Sequence, residues 1–280
     1  MAHQNADKKG SRLLLTLTLT LCAVLAAVTH ASAIEHEDFD SYKIRISGNW
    51  FYSNPSGTIQ GSADNGTIDV QKDLGFNSYS TFGAKADWKF TRKNHLYFAA
   101  SIFDQTRDRT LTRTFTFQGQ TFTAGLAVNS ELKSHIYAVG YQYDIIRRKR
   151  GHLGLGIQAN IFDSTGTINA AAQAGNANVA ESAKGSFLVP LPVAGPQYRL
   201  YLTDSPRVFI EGDLYGMYFF GYGNFISTAN SLGVTINRHF SVLAGYQLGS
   251  RLVVNNSSSG NRIGVHLTQK GPTAGVQVSF

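Results

Sequence analysis

Gly275-Val276-Gln277-Val278-Ser279-Phe280 closes the chain, and in it apolar residues alternate with polar or small ones at a period of two. Successive side chains of a strand point to opposite faces. Read as a strand, the segment offers Val276, Val278 and Phe280 to an apolar medium and Gly275, Gln277 and Ser279 to a polar one. The pattern recurs upstream. Tyr137, Val139, Tyr141, Tyr143 and Ile145 alternate with Ala138, Gly140, Gln142 and Asp144. Leu153, Leu155, Ile157, Ala159 and Ile161 alternate with Gly154, Gly156, Gln158 and Asn160. Phe82, Ala84, Ala86, Trp88 and Phe90 alternate with Gly83, Lys85, Asp87 and Lys89. One such segment is weak evidence; several together read as strands with lipid on one side and a polar lumen on the other.

Composition agrees. The 280 residues hold 28 Gly, 18 Phe and 13 Tyr against 6 Pro. The apolar content is cut into segments of about ten residues by Gly, Asn, Asp, Ser and Thr, the length of a membrane-spanning strand. Amphipathic helical periodicity is missing after residue 33, unless Ala170 to Glu181 is a helix. In lipid only helices and closed barrels satisfy every backbone group, so the reading is all-β: a single antiparallel barrel. Ten strands are expected, over Tyr42–Ser53, Tyr79–Phe90, His95–Thr106, Ser130–Ile145, His152–Asp163, Phe187–Leu202, Arg207–Phe220, Ile226–Asn237, His239–Val253 and Arg262–Phe280, the last with a break near Lys270-Gly271-Pro272. Eight is the alternative, if one hairpin is loop. Short connections (Thr91–Asn94, Ile146–Gly151, Thr203–Pro206, Arg238) alternate with long ones (Asn54–Ser78, Arg107–Asn129, Ser164–Ser186). Aromatic girdles are expected at Tyr42, Trp88, Tyr97, Tyr201, Phe240 and Phe280 on one rim, and at Tyr52, Tyr79, Phe219 and Tyr222 on the other.

At the other end, Lys8, Lys9 and Arg12 precede the uncharged run Leu13–Val28 and the small residues Ala31-Ser32-Ala33. This is the pattern of a secretory signal peptide cleaved after Ala33, leaving one domain over 34–280. The run is short of the roughly 20 residues a spanning helix needs. Cys22, the only cysteine, falls inside the signal, so the exported chain has no disulfide and no thiolate chemistry. The formal charge is +7; without the signal's three cations and one anion (Asp7) it is +5. The cations are scattered, which gives nucleic-acid binding no support.

A terminal amphipathic strand ending on Phe280, behind a signal peptide, resembles the assembly signal of bacterial outer-membrane β-barrel proteins. The resemblance implies insertion by the barrel-assembly machinery into the outer membrane of a diderm bacterium. It also implies contact with outer-membrane lipids and lipopolysaccharide, short turns in the periplasm and long loops outside. It matches no particular subfamily closely.

The lumen face is expected to carry Lys43, Arg45, Lys85, Asp87, Lys89, Asp144, Arg199, Glu211 and Asp213, with Asn49, Gln142, Gln158, Asn160, Gln247 and Gln277. These mixed charges form either a salt-bridged plug or the lining of a narrow pore. Small lumen residues at Ala138, Gly140, Gly154 and Gly156 leave a gap or make room for Arg199. Arg107, Arg109 and Arg113 share a face beyond the third strand and suit lipid A phosphates. Arg147-Arg148-Lys149-Arg150 reads as a solvated cap on a turn.

No catalytic set stands out. His239-Phe240-Ser241 resembles the His-x-Ser pair of lipid A deacylases but falls at a short turn, away from outer-leaflet substrate. Ser134 and His135 point to opposite faces. His95 and His152 belong to short turns, and His266 stands alone. Asp64–Asp69 lacks the spacing of a calcium loop, and Ser164–Lys184, rich in Ala, Gly and Asn, reads as loosely folded. Neither cofactor nor metal is implied. Three roles remain: a structural, surface-interaction or narrow-pore barrel; a passive channel; a lipid A or peptide hydrolase.

Overall fold

Alternating residues become the two sides of one closed wall. The computed structural model describes residues 39–60, 67–117, 120–174, 177–205, 207–219, 223–255 and 264–280. The chain falls into two units, Asp38–Ser279 and residues 1–37 with Phe280, and the strands belong to the first. The expected signal peptide and its Ala33 lie outside the described residues, as do Asp64, Asn65, Gly66 and Tyr222.

The wall consists of β1 (Ile44–Gln60), β3 (Tyr79–Lys89), β4 (Asn94–Thr110), β7 (Ala127–Arg148), β8 (Gly151–Ala174), β9 (Ala177–Tyr201), β10 (Arg207–Phe219), β11 (Gly223–Thr235), β12 (Phe240–Asn255) and β13 (Gly264–Ser279). Each pairs antiparallel with its neighbours in chain order. The last strand returns to the first, from Arg45↔Ser279 to Gln60↔Gly264. The result is a closed barrel of ten antiparallel strands. Three short strands, β2 (Thr67–Asp69), β5 (Phe115–Phe117) and β6 (Gln120–Phe122), belong to the long connections. Among the described residues no helix is long and apolar enough to cross a membrane; a barrel crosses with strands.

The expected register of faces holds along most of the wall. Phe82, Trp88, Phe98, Ile102, Leu155, Ile157, Leu214 and Leu232 point outward and are exposed. A soluble protein would hide such side chains. On β8 the outward run goes from Leu153 to Ile161 and gives way to exposed Asp163, about the nine to eleven residues that a tilted strand needs to cross lipid.

Several expectations change. Ser164–Ser186 is a tall hairpin rather than a loose loop: β8 and β9 stay in register up to Ala174↔Ala177. The neighbouring β7 pairs with β8 as far as Val128↔Ala170, which templates the extension. β13 runs unbroken through Gly271-Pro272. Pro272 is exposed, and a side chain at Gly271 would strike the Tyr52 carbonyl, so only glycine fits there. Tyr42, Tyr79, Tyr97 and Tyr201 are not girdle residues; they are buried on the inner side. A bulge between Asp144 and Ile146 turns Ile145 and Ile146 both outward and re-aims Arg147 inward.

Candidate functional site

The site is the lumen itself, built in layers. At the short-turn end the segment before β1 folds across the opening and brings Asp40 among cations from separated strands. Arg45 of β1 lies 2.5 Å from its carboxylate, His152 of β8 2.9 Å, Arg199 of β9 3.4 Å and Lys89 of β3 3.5 Å. β1 and β9 stand on opposite sides of the ring, so one anion ties the two walls together. Burial pushes the Asp40 carboxyl up, but Arg45, Lys89 and His152 outweigh it and hold the group well below the usual carboxylate range.

Two further clusters complete this layer. Arg199 reaches Glu211 at 3.0 Å and donates to Gln277, which donates to Glu211 at 2.9 Å. His95 is fully buried between Asp87 (Nδ1, 3.2 Å) and Asp144 (Nε2, 3.0 Å). A carboxylate on each ring nitrogen suits an imidazolium, which donates from both. Gln142 donates to Asp144 at 2.8 Å, and Arg147 lies 3.6 Å from it. Tyr42 shares His95 Nδ1 at 3.1 Å while Arg45 and Lys89 lie over its ring at 3.7 and 4.3 Å.

A relay crosses the next layer. Gln197 donates to Tyr215, whose hydroxyl lies 2.5 Å from that of Tyr97, and Tyr97 donates to Gln158 at 3.0 Å. Tyr97 is paired directly across from Gly140, and a Cβ at Gly140 would fall 2.2 Å from the tyrosine ring. A cavity of about 210 Å³ remains, lined among others by Asn49, Lys85, Asp213, Gln247 and Gln277.

The far opening is filled differently. Ile68, Val70, Leu74 and Phe76 from the β1–β3 connection pack with Leu111 and Phe122 of the β4–β7 connection and with inward Val128, Ile168 and Ala170. Leu132 of β7 and Leu267 of β13 touch this cluster, so it reaches separated parts of the ring. Three arginines tether it. Arg107 donates to the Ser78 carbonyl at 3.2 Å, Arg109 to that of Gln71 at 3.0 Å, and Arg113 to Asp73. Burial pushes the Asp73 carboxyl up, but the bonds from Arg113 and the Asp69 amide prevail and hold it low.

No protein-family model matches the chain, and no curated protein sequence matches it. Solved structures do. The outer membrane protease OmpT from Escherichia coli superposes with a TM-score of 0.53 at 10% identity, over 87% of this chain and 100% of that one. The transport unit of the autotransporter AIDA-I from E. coli gives 0.41 at 9%, over 92% and 95%. Neisserial surface protein A gives 0.36 at 7%, over 85% and 97%.

The chain has the fold of an outer-membrane β-barrel. Within the barrel, Arg45, Asp87, Lys89, Asp144, Arg199 and Glu211 come together in the short-turn layer, and Lys85 and Asp213 line the cavity beside it. Lys43 does not join them: it is exposed and precedes β1, where the alternation has not begun. Arg107, Arg109 and Arg113 have hydrogen-bond partners within the protein. The room beside Gly140 and Gly156 is taken by Tyr97, Gln197 and Tyr215, not by Arg199. Sequence reasoning missed Asp40, His95 and His152. Asp40 lies before the first strand, where periodicity says nothing. The histidines looked like turn residues, yet fall on inward positions of β4 and β8. His239 bonds the Ser279 carbonyl at 2.7 Å, and Ser241 bonds Thr235 at 3.3 Å. Ser134 faces Ser164 at 2.7 Å, away from His135.

Proposed function

We propose that this protein is an integral outer-membrane barrel sealed to solutes, acting as a membrane-anchored scaffold for its tall hairpins. One observation carries the reading: both openings are filled by the chain's own residues, and by different chemistry. Charges converge on Asp40 at one end. At the other, apolar side chains converge on Phe122. A passive channel needs an open, continuous polar path; the charged layer fills the bore and the apolar layer interrupts its polarity. A hydrolase needs a nucleophile or an activated water beside a base at an accessible place. The buried His95 and its two carboxylates lack that access, which weighs against the reading. With both termini of the barrel at the short-turn end, the long hairpins of β7, β8 and β9 project to the outside. β9 has 25 residues, over twice the length of a membrane-crossing strand.

The purified protein in planar bilayers tests this. No conductance above baseline is expected from the wild type. Removal of Asp40 together with Arg113 is expected to produce transient openings. A steady ohmic conductance in the wild type ends the proposal.

A further inference from the structure

The short-turn rim of the outer wall carries mostly one sign of charge. Outward apolar residues end there at Ile44, Phe90, Ile146 and Ile236, all exposed. Just beyond each stands an exposed cation: Lys43, then Arg92 and Lys93, Arg148, and Arg238. These residues belong to the start of β1 and to the β3–β4, β7–β8 and β11–β12 turns, so they are spaced around the ring. At the β9–β10 turn the place beyond exposed Leu202 is held by Asp204, which pairs with Arg150 at 2.8 Å.

The fold sorts these cations. In the run Arg147–Arg150, the bulge turns Arg147 inward, where it lies 3.6 Å from Asp144 and donates to the Arg92 carbonyl. Arg150 is taken by Asp204. Arg148 is left on the outer face, two residues past Ile146. Lys93 is set on that face by its turn. Its carbonyl accepts from the Asp144 amide at 2.8 Å, and its ammonium lies 5.8 Å from the ring of outward Tyr143. Trp88 and Phe90, rings 5.6 Å apart, stand on the neighbouring strand. Long cations beside aromatics at the lip of an apolar band are interfacial anchors: the stem covers apolar surface while the charge reaches the headgroups.

The opposite rim differs. There the outward residues past Ile102 and Ile161 are Asp104 and Asp163, both exposed. Lys133, on the strand between them, pairs with Glu131. One lip of the band is cationic and the other is mixed, so the two leaflets meet different electrostatics.

We infer that the short-turn rim is a collar that binds anionic phospholipids in the leaflet on that side, their phosphates held by Lys43, Lys93, Arg148 and Arg238. The inference rests on the reading of the outer wall as lipid-facing. A ring of lipid is the partner that the layout fits. Cations spaced around the barrel meet headgroups on all sides at once, whereas a protein docking from below needs them gathered on one face. Each phosphate accepts from a cation, and the acyl chains lie on the apolar residue beside it. A glycerol headgroup leaves the phosphate charge uncompensated and a choline headgroup cancels it, so the collar discriminates between the two.

Spin-labelled lipids test it. The full barrel is reconstituted in phosphatidylcholine vesicles with a trace of phosphatidylglycerol or phosphatidylcholine carrying a nitroxide on one acyl chain. The immobilised fraction of each gives their relative association constants. Phosphatidylglycerol is expected to associate about fivefold more strongly, the factor that ~1 kcal/mol per cation near a charged surface produces. The preference is expected to vanish at about 1 M salt, where the screening length is ~3 Å. Lys43→Gln with Lys93→Gln, Arg148→Gln and Arg238→Gln is expected to bring the two lipids to parity, and Lys133→Gln, on the opposite rim, to leave the preference as it was. Equal association of both lipids with the wild type overturns the collar. So does a preference that the quadruple variant keeps or that Lys133→Gln abolishes. If the quadruple variant fails to insert, the wild-type preference and its salt dependence decide by themselves. Immobilised phosphatidylcholine reports the lipid-facing wall on its own, so failure of the collar is distinguishable from failure of the barrel reading.

Discussion

Asp40 shows how much one side chain holds. A lone carboxylate in the lumen is expensive, and Arg45, Lys89 and Arg199 without it are worse. Asp40→Asn keeps the shape and removes the charge, leaving Arg45, Lys89 and Arg199 to repel one another. The expected loss is about 3–5 kcal/mol, as for breaking other buried ion pairs, read as a lower unfolding midpoint in urea with lipid vesicles present. Acid acts through the same group. Its pKa is depressed in the fold, while the unfolded carboxyl has a pKa of about 3.9. The stabilisation is therefore fully present above about pH 4 and is lost as pH falls through the depressed value. In the Asn variant that acid-dependent part of the midpoint shift is expected to shrink; an unchanged pH profile would show that the carboxylate contributes nothing.

At the scale of elements, the connections matter more than their sequences suggest. β5 and β6 are only three residues each, yet Phe122 is wholly buried. Residues 70–78 are no free loop: Arg107, Arg109 and Arg113 staple them to the extension of β4. Arg113→Ala removes the partner of Asp73 and leaves an anion without its countercharge. Hydrogen exchange of amides 67–78 is expected to speed up, by about tenfold if the lost charged bond contributes ~1.5 kcal/mol, with exchange in β10 and β12 unaffected. The folded Asp73 carboxyl is also held low, so its share of protection is present above about pH 4 and fades as pH falls through its lowered value. Equal exchange in both proteins would mean that the apolar cluster alone secures the segment. Ser164–Ser186 teaches the same lesson: polar and small residues make a strand once β7 offers them a ladder.

For the whole molecule, the question is which solvent the outer surface meets. Ile157 lies mid-band on β8 and is 62% exposed. On a protein in water, Ile157→Arg is close to neutral. On a lipid-facing barrel it costs ~2–4 kcal/mol at the bilayer midplane. Urea unfolding into and out of vesicles measures this directly, and a change under ~0.5 kcal/mol argues for an aqueous surface. The inside and outside therefore have opposite rules. Outward positions tolerate any apolar residue and reject charge, whereas inward charges are tolerated only in partnered sets.

Alternation along Phe82–Phe90, Tyr137–Ile145 and Leu153–Ile161 was enough to determine a closed antiparallel barrel, because a period of two states which residues share a face, and lipid permits no open sheet. It also placed Arg45, Asp87, Lys89, Asp144 and Arg199 on the inner side. Which of them meet was decided only by closure of the barrel. Asp40 comes near Arg199, 159 positions along the chain, because β1 and β9 face each other across a ring, and no local pattern encodes that distance. Tertiary structure likewise turned Tyr97 and Tyr201 inward and lifted β8 and β9 into a tall hairpin. Periodicity reports the side of a wall; pairing partners, bulges and what fills the centre depend on how the strands meet.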